Sequence, residues 1–312
     1  MTIEALPGEL ARASPAARRR GTLRALARNP SVVIGAVIVA FLALVGLLAP
    51  LLGTIDPSEI NPAFRNKRPG AERTIRESDG KETAFVHRFG TDSLGRDVYS
   101  RVVYGARVSL LIGVTVAVLA VGIGLFIGLI AGYIRWADGV VMRTMDGLMA
   151  IPAILLAMGV VSLSRAGLVA VIIAIVVPDI PRVVRLVRAT VLTIREEPYV
   201  EAAITVGTPT PTLLVRHVLP NTVAPLIVQG TFICASAILI EAILSFLGIG
   251  IPPETPTWGN IMAEGRQFFQ IKPSLIFWPG LLLSIAILSI NLIGDAARDA
   301  LDPRMKQREA GK

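Results

Sequence analysis

VSLLIGVTVAVLAVGIGLFIGLIAGYI, residues 108–134, runs for 27 positions without Asp, Glu, Lys, Arg or His. An α-helix rises about 1.5 Å per residue, so about 20 such residues cross a hydrocarbon core of roughly 30 Å. The stretch is therefore predicted to be a membrane-spanning helix. Gly124, Gly128 and Gly132 recur at every fourth position and so share one side of it. A stripe of this kind lets helix backbones approach closely within a bilayer. Its expected role is packing within a helix bundle.

Similar runs lie on either side. Residues 29–55, 218–240 and 273–294 hold 27, 23 and 22 uncharged positions. Two shorter runs, 147–164 and 166–178, lie between them, with 18 and 13. The first of these spans if it begins near Val140, with Arg143 snorkelling to the interface. The second spans only if it continues through Arg182 and Arg185, at the membrane surface. The expected fold class is an all-α integral membrane protein with six transmembrane helices. The first run is longer than a signal-peptide core of about 7–15 residues, and Pro50 spoils the cleavage pattern at Leu47-Leu48-Ala49, so a retained anchor is expected.

Composition agrees. Of 312 residues, 53% are apolar and 17% charged, against roughly 25% charged in a soluble domain. That excludes a disordered chain and argues against a soluble enzyme. With one cysteine, Cys234, there is no intrachain disulfide and no thiolate metal cage. With His87 and His217 alone, a multi-histidine metal site is excluded too. The net charge of +8 fits arginines flanking membrane spans better than a nucleic-acid surface.

Arg12, Arg18, Arg19, Arg20, Arg24 and Arg28 crowd the N-terminal tail. Placing that tail in the cytoplasm puts 18 of the 31 basic residues inside and 12 outside, with Arg107 at a boundary. Nine of the 12 belong to one loop, 56–103, which also carries eight acids. The positive-inside rule weakens for long loops, so both termini are expected in the cytoplasm. The expected organisation is a cytoplasmic tail (1–28), a first transmembrane helix (29–55), an external loop (56–103), a five-helix core (104–295) with a cytoplasmic segment at 187–221, and a cytoplasmic C-terminal tail (296–312).

Residues 187–221 are the most informative. Pro198 suits the first position of a short helix, and Glu197 and Glu201 favour the positive end of its dipole. Glu201-Ala202-Ala203 continues the helix, Gly207 fits a left-handed C-terminal cap, and Pro209 forbids continuation. A second short helix can run from Thr210-Pro211 to about Val218. It leads through His217, Leu219, Pro220 and Asn221 into the fifth span.

EAAITVG (201–207), followed by nine residues and HVLPN (217–221), resembles the cytoplasmic coupling motif of ABC importer permeases. FGTDSLGRDVYSRVVYGARVSL (89–110), GLIAGY (128–133), MRTMDGLMAIP (142–152), EAILSFLGIGIPPETPTWGNIM (241–262) and NLIGDAARDALDPRMK (291–306) look like the C-type subunit of the paired permeases of dipeptide and oligopeptide importers. The loop 61–88 is longer and more charged than that pattern. VVPDIPRVVRLVR (176–188) lacks the aromatic residue that relatives often show near Pro178. The resemblance implies a type I ABC importer permease fold in the inner membrane of a prokaryote. It also implies a sister permease, two ATPase subunits that bind ATP-Mg and dock on the coupling helix, and an extracytoplasmic substrate-binding protein. Glu201, Ala202, Ala203, Gly207, His217, Leu219, Pro220 and Asn221 are the coupling residues it implies.

The chain has no phosphate-binding loop of its own. At Gly80-Lys81 the next residue is Glu82, not Ser or Thr, and Ile75 holds the first glycine position. No cofactor or metal is expected in this chain. Charged groups at membrane depth are costly and usually paired or functional, which singles out Arg107, Glu241 and Asp179 as candidates for the translocation path or a gate. Their structural alternatives are snorkelling for Arg107, a hydrogen bond shaping the loop after span five for Glu241, and pairing with Arg182 for Asp179. Asp295 and Arg298 are expected near the ATPases, and His87 in the external loop. A carrier that needs no ATPase would rely on Glu241 and Asp179. An intramembrane metalloprotease would need an HExxH helix, which is absent.

Overall fold

The computed structural model describes residues 29–76, 82–163 and 167–301. Ten helices and one hairpin follow in order among them: α1 Pro30–Leu47, β1 Ala71–Arg76, β2 Glu82–His87, α2 Val98–Tyr133, α3 Arg135–Met149, α4 Ala153–Leu163, α5 Leu168–Arg195, α6 Pro198–Thr205, α7 Thr210–Leu213, α8 Leu219–Phe246, α9 Trp258–Gly265 and α10 Ser274–Leu301. Four helical stretches are long and apolar enough to cross a membrane: α1, α2, the stretch from α7 through α8, and α10. They become five if α3 and α4, bent by 90° at their junction, count as one span. The expected N-terminal tail (1–28) and residues 302–312 of the expected C-terminal tail (296–312) lie outside the described residues, and residues 296–301 continue α10.

The centre of the bundle is the seam between α2 and α5. A β-carbon at Gly124, Gly128 or Gly132 would fall 2.5, 2.7 and 2.7 Å from the Cβ of Val183, Val187 and Val191. Both rows step by four residues, so a glycine groove on one helix receives a valine ridge from the other. Ile112, Val116, Ile175, Ile233 and Ile238 extend this core toward α8. α1 sits at the side, against α10 at Gly35 and against α2 at Gly46.

Three helices depart from the expected bounds. α1 stops at Leu47, eight residues before its uncharged run ends. The chain then makes a 3-10 turn over Ala49–Leu51, where Pro50 has no N–H to continue the α-helical ladder. α2 starts at Val98, inside the expected external loop, because the Asp97 carboxylate accepts the Ser100 N–H as an N-cap. The third expected span is not one straight helix. α3 is amphipathic and ends at Met149, Pro152 follows, and α4 has 11 residues, about 16 Å of rise. α5 does continue through Pro178, Arg182 and Arg185, to Arg195.

Beyond the bundle, residues 48–76, 82–97 and 247–273 form a separate layer. β1 and β2 pair antiparallel, with Ala71 opposite His87. His87 is buried, its Nδ1 2.8 Å from Asp97 Oδ1. The Lys272 ammonium donates to the carbonyls of Lys67 and Thr91, at 2.8 and 2.9 Å. Burial draws its pKa below the ordinary lysine value, against the opposing charge of Asp92.

Candidate functional site

α6 leaves the end of α5 after a two-residue corner. Pro198 occupies its first turn, and Glu201 lies in that turn. Gly207 ends the segment with φ +84°. Its N–H donates to Ile204 O at 2.9 Å and the Thr208 N–H to Ala203 O at 3.0 Å, the hydrogen-bonded left-handed cap that glycine favours. A β-carbon on Gly207 would meet nothing within 4 Å, so backbone conformation, not space within this chain, selects glycine there.

One side of the segment is anchored. Val200, Leu213 and Val218 are buried in the core that also holds Val191 and Ile194 of α5. The other side is uncovered: Glu201, Ala202, Ile204 and Thr205 are exposed, Ala203 is half-buried, and Val206 is 85% exposed. α7 passes through one wide turn, Leu214–Val218, directly into α8. His217 and Leu219 are half-buried there, and Pro220 and Asn221 are exposed. The Asn221 amide donates to His217 O at 2.7 Å and to Tyr199 Oη at 3.1 Å, and the Tyr199 and His217 rings lie 6.2 Å apart. Burial and the neighbouring Glu197 push the Tyr199 phenol above its ordinary pKa. Tyr199 thus ties α6 to the start of α8. Sequence reading missed it, since a lone aromatic in a short helix carries no spacing signal.

The three charged candidates stay apart, and no hydrogen bond or ion pair joins them among the described residues. Arg107 is exposed on α2. Asp179, buried on α5, accepts from Arg182 Nη1 at 2.7 Å. Glu241 on α8 is 0% exposed. The Ser245 hydroxyl donates to its Oε1 at 2.8 Å, Thr257 of the following loop stands beside it, and Oε2 has no hydrogen-bond partner among the described residues.

A buried ion cluster in the layer beyond the bundle was not anticipated. Asp92 Oδ2 receives Arg96 Nε at 2.7 Å and Arg101 Nη1 at 2.6 Å. Both guanidiniums reach Glu264 Oε1, at 2.6 and 2.9 Å, and Arg96 donates to Pro253 O at 3.0 Å. The cluster clamps α9 and the loop before it onto the start of α2. Its fourth member lies more than 160 residues from the others along the chain, so no local spacing announces it. On the opposite side, Arg188 of α5 pairs with Asp138 of α3, holding the amphipathic helix against the bundle.

The family profile described as "binding-protein-dependent transport system inner membrane component" matches residues 120–307. The one described as "N-terminal TM domain of oligopeptide transport permease C" matches residues 18–69. A probable peptide ABC transporter permease protein of Sinorhizobium fredii is 46% identical over 304 residues, 97% of this chain and 99% of that protein. A dipeptide transport system permease protein of Alkalihalophilus pseudofirmus is 39% identical, over 92% of this chain and 90% of its own length. A glutathione transport system permease protein of Pectobacterium atrosepticum is 40% identical, over 74% and 76%. Among solved structures, the MetNI methionine ABC transporter in inward-facing conformations matches with TM-score 0.52 and 21% identity, over 64% of this chain and 96% of that chain. At that identity the likeness is one of fold.

Proposed function

We propose, from the premise that the chain belongs to the binding-protein-dependent transport system inner membrane component family, that it imports short peptides as one half of a permease pair. The family is one of multi-pass transport permease subunits. The finer reading is six spans, with α3–α4 and α5 as the third and fourth and both termini in the cytoplasm. A sister permease completes the pathway, and an extracytoplasmic binding protein delivers substrate to the external layer. Two ATPase subunits, binding ATP-Mg, dock on the 187–221 segment, because this chain has no phosphate-binding loop.

The observation that carries the reading is the construction of α6. Val200 and the Tyr199–Asn221 hydrogen bond fix one side. Glu201, Ala202, Ile204 and Val206 remain uncovered beside the glycine cap. A small, rigid helix with an apolar tip and a carboxylate suits a groove on a partner protein, and its attachment to both α5 and α8 gives a partner's movement a path into the bundle.

The test is uptake of radiolabelled dialanine, trialanine and glutathione by cells with and without this chain. Loss of uptake of at least one of them on deletion, restored by the wild-type chain, is expected. Undiminished uptake of all three would overturn the peptide assignment.

A further inference from the structure

A cavity of about 320 Å³ opens between α5, α8 and α10. Its walls are apolar at Phe232, Leu239 and Ile287, and carry Arg182, Gln229 and Asn291. Arg182 lies 14 residues from the start of α5 and 13 from its end, about 20 Å from either at roughly 1.5 Å per residue. Gln229 is ten residues into α8, and Asn291 is 17 residues into α10. All three lie on helices of the bundle, where an amide or a guanidinium facing lipid is expensive.

Their bonding is incomplete. Arg182 gives Nη1 to Asp179 and is nearly half exposed, and the rest of its donor fork has no partner among the described residues. The amides of Gln229 and Asn291, both half-buried, make no side-chain hydrogen bond among the described residues. A guanidinium fork matches a carboxylate. A primary amide offers both a donor and an acceptor, which matches a peptide backbone irrespective of its side chains. The apolar wall gives those side chains somewhere to lie.

We propose that Arg182, Gln229 and Asn291 form a station of the import path, within the helix bundle, that takes the terminal carboxylate and backbone amides of a short peptide. This rests on the peptide-importer reading above. Asp179 acts as a positioning residue: it holds the Arg182 guanidinium against α5 and partly neutralises it, so the carboxylate is caught without being trapped.

The test uses the assembled importer in proteoliposomes. With Cys234 replaced by alanine, single cysteines at Gln229 and Asn291 are probed with a membrane-impermeant methanethiosulfonate. Both are expected to react, with rates that change when ATP and vanadate trap the complex, while a cysteine at Phe126, exposed on α2, stays unreactive. Dialanine uptake is expected to fall about tenfold to a hundredfold in Arg182→Gln, the loss of a charge-assisted hydrogen bond, and less in Arg182→Lys. Asn291→Leu, which leaves the Asp179 pair intact, is expected to raise KM for dialanine. Peptide uptake by an importer whose 229 and 291 cysteines never react would place this face against the sister permease and overturn the proposal. Reactive cysteines in an importer that carries no short peptide would retain a water-lined path and overturn its peptide chemistry.

Discussion

Gly128 on α2 faces Val187 on α5 so closely that a β-carbon on the glycine would lie 2.7 Å from the valine Cβ. The contact is the middle of three equivalent ones, each a turn from the next. It gives the two longest-packed helices of the bundle a fixed register.

Gly128→Ala should therefore lower the thermal stability of the detergent-solubilised protein by about 1–3 kcal/mol, the usual cost of overpacking. Val187→Ala in the same chain should recover part of that loss, since it removes the colliding methyls. A double variant no more stable than Gly128→Ala alone would mean that the two positions do not touch.

Asp92 is buried, which opposes its ionisation, yet the guanidiniums of Arg101 and Arg96 hold its carboxyl below the ordinary range. A depressed folded-state pKa contributes stability that is complete above the unfolded value of about 4, and that stability is lost as pH falls through the lower folded value. The protection of amides in residues 87–101, corrected for the intrinsic pH dependence of exchange, should be unchanged between about pH 7 and 5, then fall below the unfolded pKa. Asp92→Asn should remove that step and destabilise the external layer by about 3–5 kcal/mol, as breaking a buried ion cluster does. Identical exchange profiles for variant and wild type would count against the clamp.

Gly207→Asp adds a charge at a point where this chain leaves open space, and aspartate tolerates a left-handed backbone better than most residues. The variant should insert and fold, yet transport should be abolished. Gly207→Asn, without the charge, should retain more uptake. Normal uptake in Gly207→Asp at normal expression would remove the coupling role from this segment.

Cysteines at Ile75 in β1 and Thr205 in α6 should label from opposite sides of the membrane, with Cys234 buried and silent. Labelling of both from one side would contradict the proposed orientation.

How much of this was legible depended on how local each signal was. The left-handed cap at Gly207 was readable because glycine followed by Pro209 has few other uses. The glycine stripe was readable as a packing face, but its valine partners were not, since a valine ridge looks like any apolar helix. The break at Pro152 was hidden because residues 147–164 stay uncharged across it, and hydrophobicity does not register a 90° turn. The hairpin of β1 and β2 was missed inside a charged loop whose alternation is weak. Glu264 could not be matched with Arg96 and Arg101, because the fold alone brings them together.

The most direct test of the account is purification of this chain from its native membrane in mild detergent, with mass spectrometry of whatever accompanies it. The account predicts a second permease of similar hydropathy and one or two subunits bearing phosphate-binding loops. Recovery of the latter subunits should be lost when Glu201-Ala202-Ala203 is replaced by bulky residues. Recovery of the chain alone, under conditions that keep other membrane complexes intact, would contradict it and return Glu241 and Asp179 to the centre of an ATP-independent carrier.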